Sequence, residues 1–304
     1  MRGKTRMNRL KRNWPLHAMV LPALVFLIIF SYVPMAGIVM AFQNFKPWLG
    51  FAHSEWVGLD NFRTLFARQD SIEVIWNTLI ISALKIVLNL VAPFTFALLL
   101  NEVRRAFFKR FVQTLVYLPH FLSWVILGGI LLDFLSTDGG FLNRILSSWF
   151  GMEPIFFLGD NNWFRFTVIA SDVWKEFGFG TIVFLAALAN VNPSLYEAAE
   201  VDGASRWKQT LHITIPSMLP IAVVVGTLAL GNILNAGFDQ IFNLYNPLVY
   251  QKGDIIDTFV YRTAILNGEM GLGTAIGLFK SVISMVLILI SYRLAYKLAN
   301  YRIF

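Results

Sequence analysis

EAAEVDGASRWKQTLHITIP, residues 197–216, is a polar, charged segment set between two long apolar runs. The runs on either side decide the class of the protein. The chain is 57% hydrophobic and only 14% charged over 304 residues, with a positive mean hydropathy, so it is far more apolar than an ordinary soluble domain. A helix needs about 20 mostly apolar residues to cross a bilayer. Six stretches are long enough: 16–42, 72–100, 111–135, 163–190, 213–236 and 274–299. Barrel strands alternate lipid-facing and lumen-facing side chains over about ten positions, whereas MVLPALVFLIIF (19–30) and SVISMVLILI (281–290) are apolar on every side. The expectation is an all-α integral membrane protein with six transmembrane helices. The first stretch follows a basic tail, but it is too long for a signal-peptide core and lacks a small-x-small cleavage site, so it reads as a retained helix.

Lys and Arg set the orientation. Fifteen fall on one side: Arg2, Lys4, Arg6, Arg9, Lys11 and Arg12, then Arg104, Arg105, Lys109 and Arg110, then Arg206 and Lys208, then Arg293, Lys297 and Arg302. Seven fall on the other: Lys46, Arg63, Arg68, Arg144, Arg165, Lys252 and Arg262. Both termini are therefore expected in the cytoplasm, with a basic tail over 1–15, a six-helix domain over 16–304 and residues 191–216 as a cytoplasmic loop. The net charge of +7 is then a topological signal placed beside anionic lipid heads, and nucleic acid need not be invoked. The chain has no cysteine, so disulfides and thiolate metal sites are excluded.

The outward connections, 43–71, 136–162 and 237–273, are each under about 40 residues, too small for an unaided domain. A captured solute would need a separate protein to catch it. NFKPWLGFAHSEWVGLDNF (44–62) carries Pro47, Gly50, Gly58 and aromatics suited to a turn at the interface. ILSSWF (145–150) lies in an amphipathic stretch expected flat on the outer surface. The third connection mixes Asp239, Asn243, Asn246, Lys252, Asp254, Asp257 and Arg262 with aromatics, which suits a partner, a pore mouth or an ordinary solvated loop.

The opening segment has a physical reading of its own. Asn192 can cap free N–H groups and Pro193 is pre-set for a first helical turn. Leu195, Ala198, Ala199 and Asp202 then fall on one side at helical spacing, the paired alanines leaving a low surface for another backbone. Glu197 and Glu200 keep the rest soluble. Gly203 can take the left-handed conformation that ends a helix, and the chain restarts near Ser205 toward Ile213 and Pro216. The product is a helical elbow on the cytoplasmic side.

The order EAA, Gly203, Ile213-x-Ile215-Pro216, between the fourth and fifth of six apolar stretches, resembles the EAA loop of membrane subunits in ATP-driven, binding-protein-dependent importers; Ile215 stands where that family usually has Leu. Tyr32-Val-Pro34-Met35 with Ala41-Phe42, Trp56-Val-Gly58-Leu-Asp60-Asn61-Phe62, Asn77-Thr78 and Tyr117-Leu118-Pro119 are similar to the oligosaccharide and polysaccharide permeases, above all the lipoprotein-dependent relatives of the maltose-transporter large subunit. The resemblance covers nearly the whole chain. It implies a type I importer permease fold in the bacterial cytoplasmic (inner) membrane, moving a carbohydrate, neutral or acidic, by alternating access. It also implies that Glu197, Ala198, Ala199, Asp202, Gly203, Ile213 and Pro216 couple the chain to an ATPase. The implied partners are a second homologous permease in a heterodimer, two ATP-binding cassette ATPase subunits that hold ATP and Mg, and an extracytoplasmic or lipoprotein solute-binding protein. No cofactor is expected in this chain.

Charges at a helix centre cost roughly 2.5–3.5 kcal/mol on insertion scales, so the ones present ask for a function. Thr78, Ser82, Lys85 and Asn89 form one polar stripe at helical spacing. Asp172, Lys175 and Glu176 cluster in the fourth stretch, where Asp172 can pair with Lys175 and Glu176 with a cation on another helix. Asn232 and Asn235 continue to Asp239 on about one face. Gly273, Gly277 and Ser281 make a small-residue face beside Lys280. Lys85, Asn89, Asp172, Asn232, Asn235 and Asp239 are the candidates for a substrate path; Lys85 and Lys280 would suit an acidic sugar but equally fit pairing or snorkelling. No G-x-x-x-x-G-K-[ST] or H-E-x-x-H motif occurs and only four histidines are present, so ATP hydrolysis in this chain is not expected. The competing reading is an ion-coupled secondary carrier with Asp172 or Glu176 as the coupling group; a membrane enzyme lacks an acid–base or metal cluster.

Overall fold

The computed structural model describes residues 2–299; Met1 and the C-terminal end, Arg302 included, lie outside the described residues. Four helices are long and apolar enough to cross a membrane: Asn13–Phe42, Gln69–Glu102, Arg206–Leu230 and Met270–Leu294. Two bent pairs qualify when each is taken as one: Ala106–Phe121 with Trp124–Phe134, turned by 101°, and Asn161–Ala189 with Pro193–Val201, turned by 67°.

The third apolar stretch, expected as one helix over 111–135, is therefore broken. Pro119 has no N–H to continue a ladder, the chain becomes extended at Leu122, and the Ser123 hydroxyl restarts it by accepting from the Ile126 N–H at 3.4 Å. The fifth stretch is shifted as well. It begins at Arg206 and ends at Leu230, so Asn232 and Asn235 sit in the turns beyond the helix.

The helices Gln69–Glu102 and Asn161–Ala189 pack along one another and form the frame. The shorter Ala106–Tyr117 helix lies close against Asn161–Ala189 because Gly178 has no side chain; a Cβ there would collide with the Val116 carbonyl oxygen. By contrast, the Asn13–Phe42 span is exposed over residues 14–36. It joins the body only toward Phe42, against Met270–Ala299.

The third outward connection is core. Gln240 and Asp254 are buried, and Ile241, Leu244, Val249 and Ile255 join one apolar cluster with Ile81, Phe164 and Val168, Ile256 and Phe259 a second with Leu65, Val74 and Ile276. Its short helices Phe238–Leu244 and Ile256–Tyr261 bring apolar faces that the polar residues between them disguise. Asn77-Thr78 binds this segment: Asn77 donates to the Gln251 carbonyl at 2.9 Å and Thr78 Oγ1 accepts from the Ile256 N–H at 2.9 Å. In the first outward connection, Gln43–Asn44 and Glu55–Trp56 pair as a two-stranded antiparallel ribbon, and Asn61 donates to the Ala41 and Gln43 carbonyls at 3.0 Å each. These two motifs are scaffold.

Candidate functional site

The elbow forms as its sequence dictates. Asn192 Oδ1 accepts from the Ser194 N–H at 3.0 Å, Pro193 occupies the first turn, and the helix runs Pro193–Val201. Asp202 N–H reaches the Ala198 carbonyl, and Ala204 N–H the Ala199 carbonyl at 2.8 Å. Between them Gly203 has φ +73° with nothing near a would-be Cβ; the glycine answers a backbone need alone. Ser205 caps the next helix by accepting from the Lys208 N–H at 3.4 Å.

That second arm runs straight into the membrane helix. Arg206–Gln209 passes through a π-helical turn, Thr210–Thr214, into Ile215–Leu230. Pro216 cannot donate a ladder bond, and the slipped register just before it, Ile215 N–H to the Thr210 carbonyl, accommodates the gap. The two arms are tied by Tyr196 Oη to Thr214 Oγ1 at 3.0 Å and by Gln209 to the Ala204 carbonyl at 3.2 Å. Glu197, Ala198, Asp202, Gly203 and Pro216 are exposed, while Ala199 and Ile213 are half-buried. Val201 at 89% and Trp207 at 71% exposure add apolar surface that a soluble loop would not leave bare.

A cavity of about 390 Å³ lies along the last turns of that helix and the turn beyond it, where Ser82, Lys85, Asn89, Asp172, Asn232 and Asn235 share the lining with apolar residues such as Val225 and Ala229. It gathers five of the six path candidates; Asp239 is exposed and stands outside the lining. Lys85 Nζ meets Asp172 Oδ1 at 3.0 Å, the Ala236 carbonyl at 2.8 Å and Gln240 Oε1, so all three ammonium protons are engaged. Asn89 donates to Asp172 Oδ2 at 2.9 Å. Two buried atoms on the stripe, Ser82 Oγ and Asn89 Oδ1, have no protein partner.

Asp172 thus pairs with Lys85 across two helices instead of with Lys175. Lys175 turns to its neighbour Glu176 at 2.8 Å and to the His120 carbonyl at 2.9 Å, while both Asp172 oxygens are taken by Lys85 and Asn89 of the Gln69–Glu102 helix. Glu176 also meets His120 Nδ1 at 2.7 Å, and the His120 ring stacks on Phe179 with centroids 4.0 Å apart at 3°. His120, Phe179 and Gln240 escaped sequence reasoning. The usable signal was Pro119: a break in a span frees the side chain beside it to turn inward. Lys280, in turn, pairs with Asp257. Among the described residues no group of three or more His, Cys, Asp or Glu could hold a metal ion.

One continuous helix thus carries the exposed elbow at one end and lines the cavity at the other. Residues 89–300, more than half the chain, match the family model of the binding-protein-dependent transport system inner membrane component. The chain belongs to this family. The permease is 43% identical to the protein LplB of Bacillus subtilis (strain 168) over 94% of this chain and 90% of that one. It is also 43% identical to the polygalacturonan/rhamnogalacturonan transport system permease protein YteP of the same organism, over 93% and 88%. A solved bacterial ABC transporter involved in the import of the acidic polysaccharide alginate has a chain that superposes with a TM-score of 0.88 at 40% identity, covering 97% of this permease and 99% of that chain. As a transport permease it leaves ATP hydrolysis to a separate ATPase subunit. The ion-coupled carrier gains no support, and both of its coupling candidates are paired, Asp172 with Lys85 and Glu176 with Lys175 and His120.

Proposed function

We propose that this permease carries a carbohydrate, in the form of a complex and acidic oligosaccharide, across the bacterial cytoplasmic membrane. The observation that carries the reading is the uninterrupted Arg206–Leu230 helix: it joins the elbow, where an ATPase would push, to the turn that presents Asn232 and Asn235 to the cavity. The polar lining supports a sugar, since amides and hydroxyls can replace its water without binding too tightly for release. The relatives that import alginate or polygalacturonan and rhamnogalacturonan support the acidic class. Lys85, with its three protons already engaged, acts in this reading as the pin that fixes the cavity wall, and the free acceptor and hydroxyl of Asn89 and Ser82 meet the sugar.

Each bent pair counts as one span, giving six, with both termini in the cytoplasm. The elbow residues Glu197, Ala198, Ala199, Asp202, Gly203, Ile213 and Pro216 dock one of two ATPase subunits that bind ATP and Mg. A second, homologous permease completes the path, and the exposed Asn13–Phe42 span leaves surface for it. A solute-binding protein delivers the sugar, as a periplasmic protein carrying alginate pentasaccharide does in a solved complex of the alginate transporter.

Purification of the complex with its native partners, followed by ATPase assays with the binding protein and a panel of uronate and neutral oligosaccharides, tests the proposal. Stimulation by a loaded binding protein is expected. Uptake by this polypeptide alone, driven by an ion gradient, would overturn it. Single cysteines at Ser54 and Ser205 should be labelled from opposite sides by an impermeant maleimide; labelling from one side refutes the six-span topology.

A further inference from the structure

Five aromatic rings run without a gap from the mouth of the cavity along the segment that follows it. Gly237 lines the cavity, and the next residue, Phe238, opens the helix Phe238–Leu244. Phe238 stacks on Phe242 with centroids 5.1 Å apart at 21°, and Phe242 meets Tyr261 edge-on at 5.0 Å. Phe242 also neighbours Tyr245 at 6.1 Å, which in turn lies 5.2 Å from Tyr250. Phe242 is 37% exposed, and Tyr261 and Tyr245 are half-buried.

The ledge is braced from behind. The Arg262 guanidinium lies over the Tyr250 ring at 4.1 Å and binds the buried Asp254 at 2.6 Å. Within the ledge, burial pushes the Tyr245 phenol up to about 12. The rings are therefore fixed before any ligand arrives, which lowers the ordering cost of binding.

Resting on the carbohydrate reading above, we infer that Phe242, with Phe238 and Tyr261, is a stacking station for a pyranose ring at the outward mouth of the cavity. A pyranose offers one apolar C–H face and a rim of hydroxyls. The C–H groups carry slight positive charge and suit the negative face of an aromatic ring; the hydroxyls need acceptors nearby. Asn235, which lines the cavity, and the exposed Asp239, next to Phe238 in the chain, supply them. That mixture distinguishes the patch from the charge-depleted core of a protein interface. The site lies outside the Lys85–Asp172 lining and gives the sugar a first contact before it reaches those polar groups.

The test is direct binding to the assembled transporter in nanodiscs without its binding protein, by calorimetry, using alginate pentasaccharide, oligogalacturonates and neutral oligosaccharides. Phe242→Leu keeps the apolar volume and removes the ring. It should weaken binding about threefold to tenfold, the scale of one aromatic contact, and Phe242→Leu with Tyr261→Leu should weaken it further. Phe242→Tyr should bind as the wild type does, a rescue that packing alone would not require. If the wild type binds sugar and the Leu variants bind it equally well, the ledge is refuted and the carbohydrate reading stands. If no oligosaccharide binds or is taken up by the wild type, both fall. A Leu variant whose only defect is weaker association with empty binding protein would assign the rings to protein docking and overturn the proposal.

Discussion

The elbow at residues 192–216 and the polar cavity at the other end of the same helix are both rich in polar side chains, yet they are held together over very different distances along the chain. In the elbow, Asn192 caps Ser194 and Ser205 caps Lys208, two and three residues apart, and the longest tie, Tyr196 to Thr214, spans 18. In the cavity, Lys85 reaches Ala236 and Gln240 across 151 and 155 residues, and Asn89 reaches Asp172 across 83. A local device can hold its shape while it moves against a partner. The cavity keeps its shape only while the helices that line it stay in register, and the helix that leaves the elbow supplies Val225, Gly226 and Ala229 to its wall just before Asn232 and Asn235.

The comparison can be broken at the elbow, where the largest effect is expected. Proline fixes φ near −65° and cannot adopt the left-handed backbone of Gly203. Gly203→Pro should therefore abolish ATP hydrolysis stimulated by loaded binding protein, as should Ala199→Trp through bulk on the docking face, with insertion into the membrane retained. Normal stimulated turnover in both variants would remove the elbow from the coupling path.

The cavity end is tested next. Asn232→Trp and Asn235→Trp place bulk in the lining and should cut sugar uptake by about an order of magnitude or more; Asn→Leu, which removes the amide alone, should cost less. Uptake at the wild-type rate in both Trp variants would reduce these amides to helix-to-helix hydrogen bonding, for which interhelical bonds worth about 0.6 kcal/mol are typical.

The pin comes third. Lys85→Met leaves the partly buried Asp172 carboxylate without its cation and should destabilise the protein by up to about 3 kcal/mol, the low end for a broken buried pair, whereas Lys85→Met with Asp172→Asn, which removes both charges, should recover most of that loss. Thermal unfolding of the two purified variants decides the point; equal losses would mean that the pair is not the coupling between these helices. The smallest effect belongs to the local caps. Asn192→Ala should cost about 1 kcal/mol and lower stimulated ATPase activity only modestly, and a loss as large as that of Gly203→Pro would mean that the elbow is not locally held.

The membrane class, the bounds of the first, second and sixth apolar stretches and the elbow were legible in the sequence, whereas the third stretch is broken at Pro119 and the fifth runs from Arg206 to Leu230. Apolar length, capping residues and a glycine with left-handed backbone act over one to four residues, and Asn192, Gly203 and Ser205 do in the fold what such residues do in isolation. The partner of Lys85 was not legible. A stripe of Thr78, Ser82, Lys85 and Asn89 says that a face avoids lipid, but it carries no information about which carboxylate faces it, and Lys175 is nearer to Asp172 in sequence than Lys85 is. The 237–273 segment misled for a related reason: Gln240 bonds both the Gln69–Glu102 and Asn161–Ala189 helices and Asp254 bonds Thr258 and Arg262, so these polar groups are buried among the apolar residues around them. The sequence by itself determined what is fixed by local backbone chemistry and by the cost of putting polar groups in lipid. Only the tertiary structure decided the partners of Lys85 and Asn89 and the turn of His120 to Glu176, because these depend on which helix faces meet across 56 to 155 positions, and the aromatic ledge, because Phe242 and Tyr261 meet only when two separate short helices pack together.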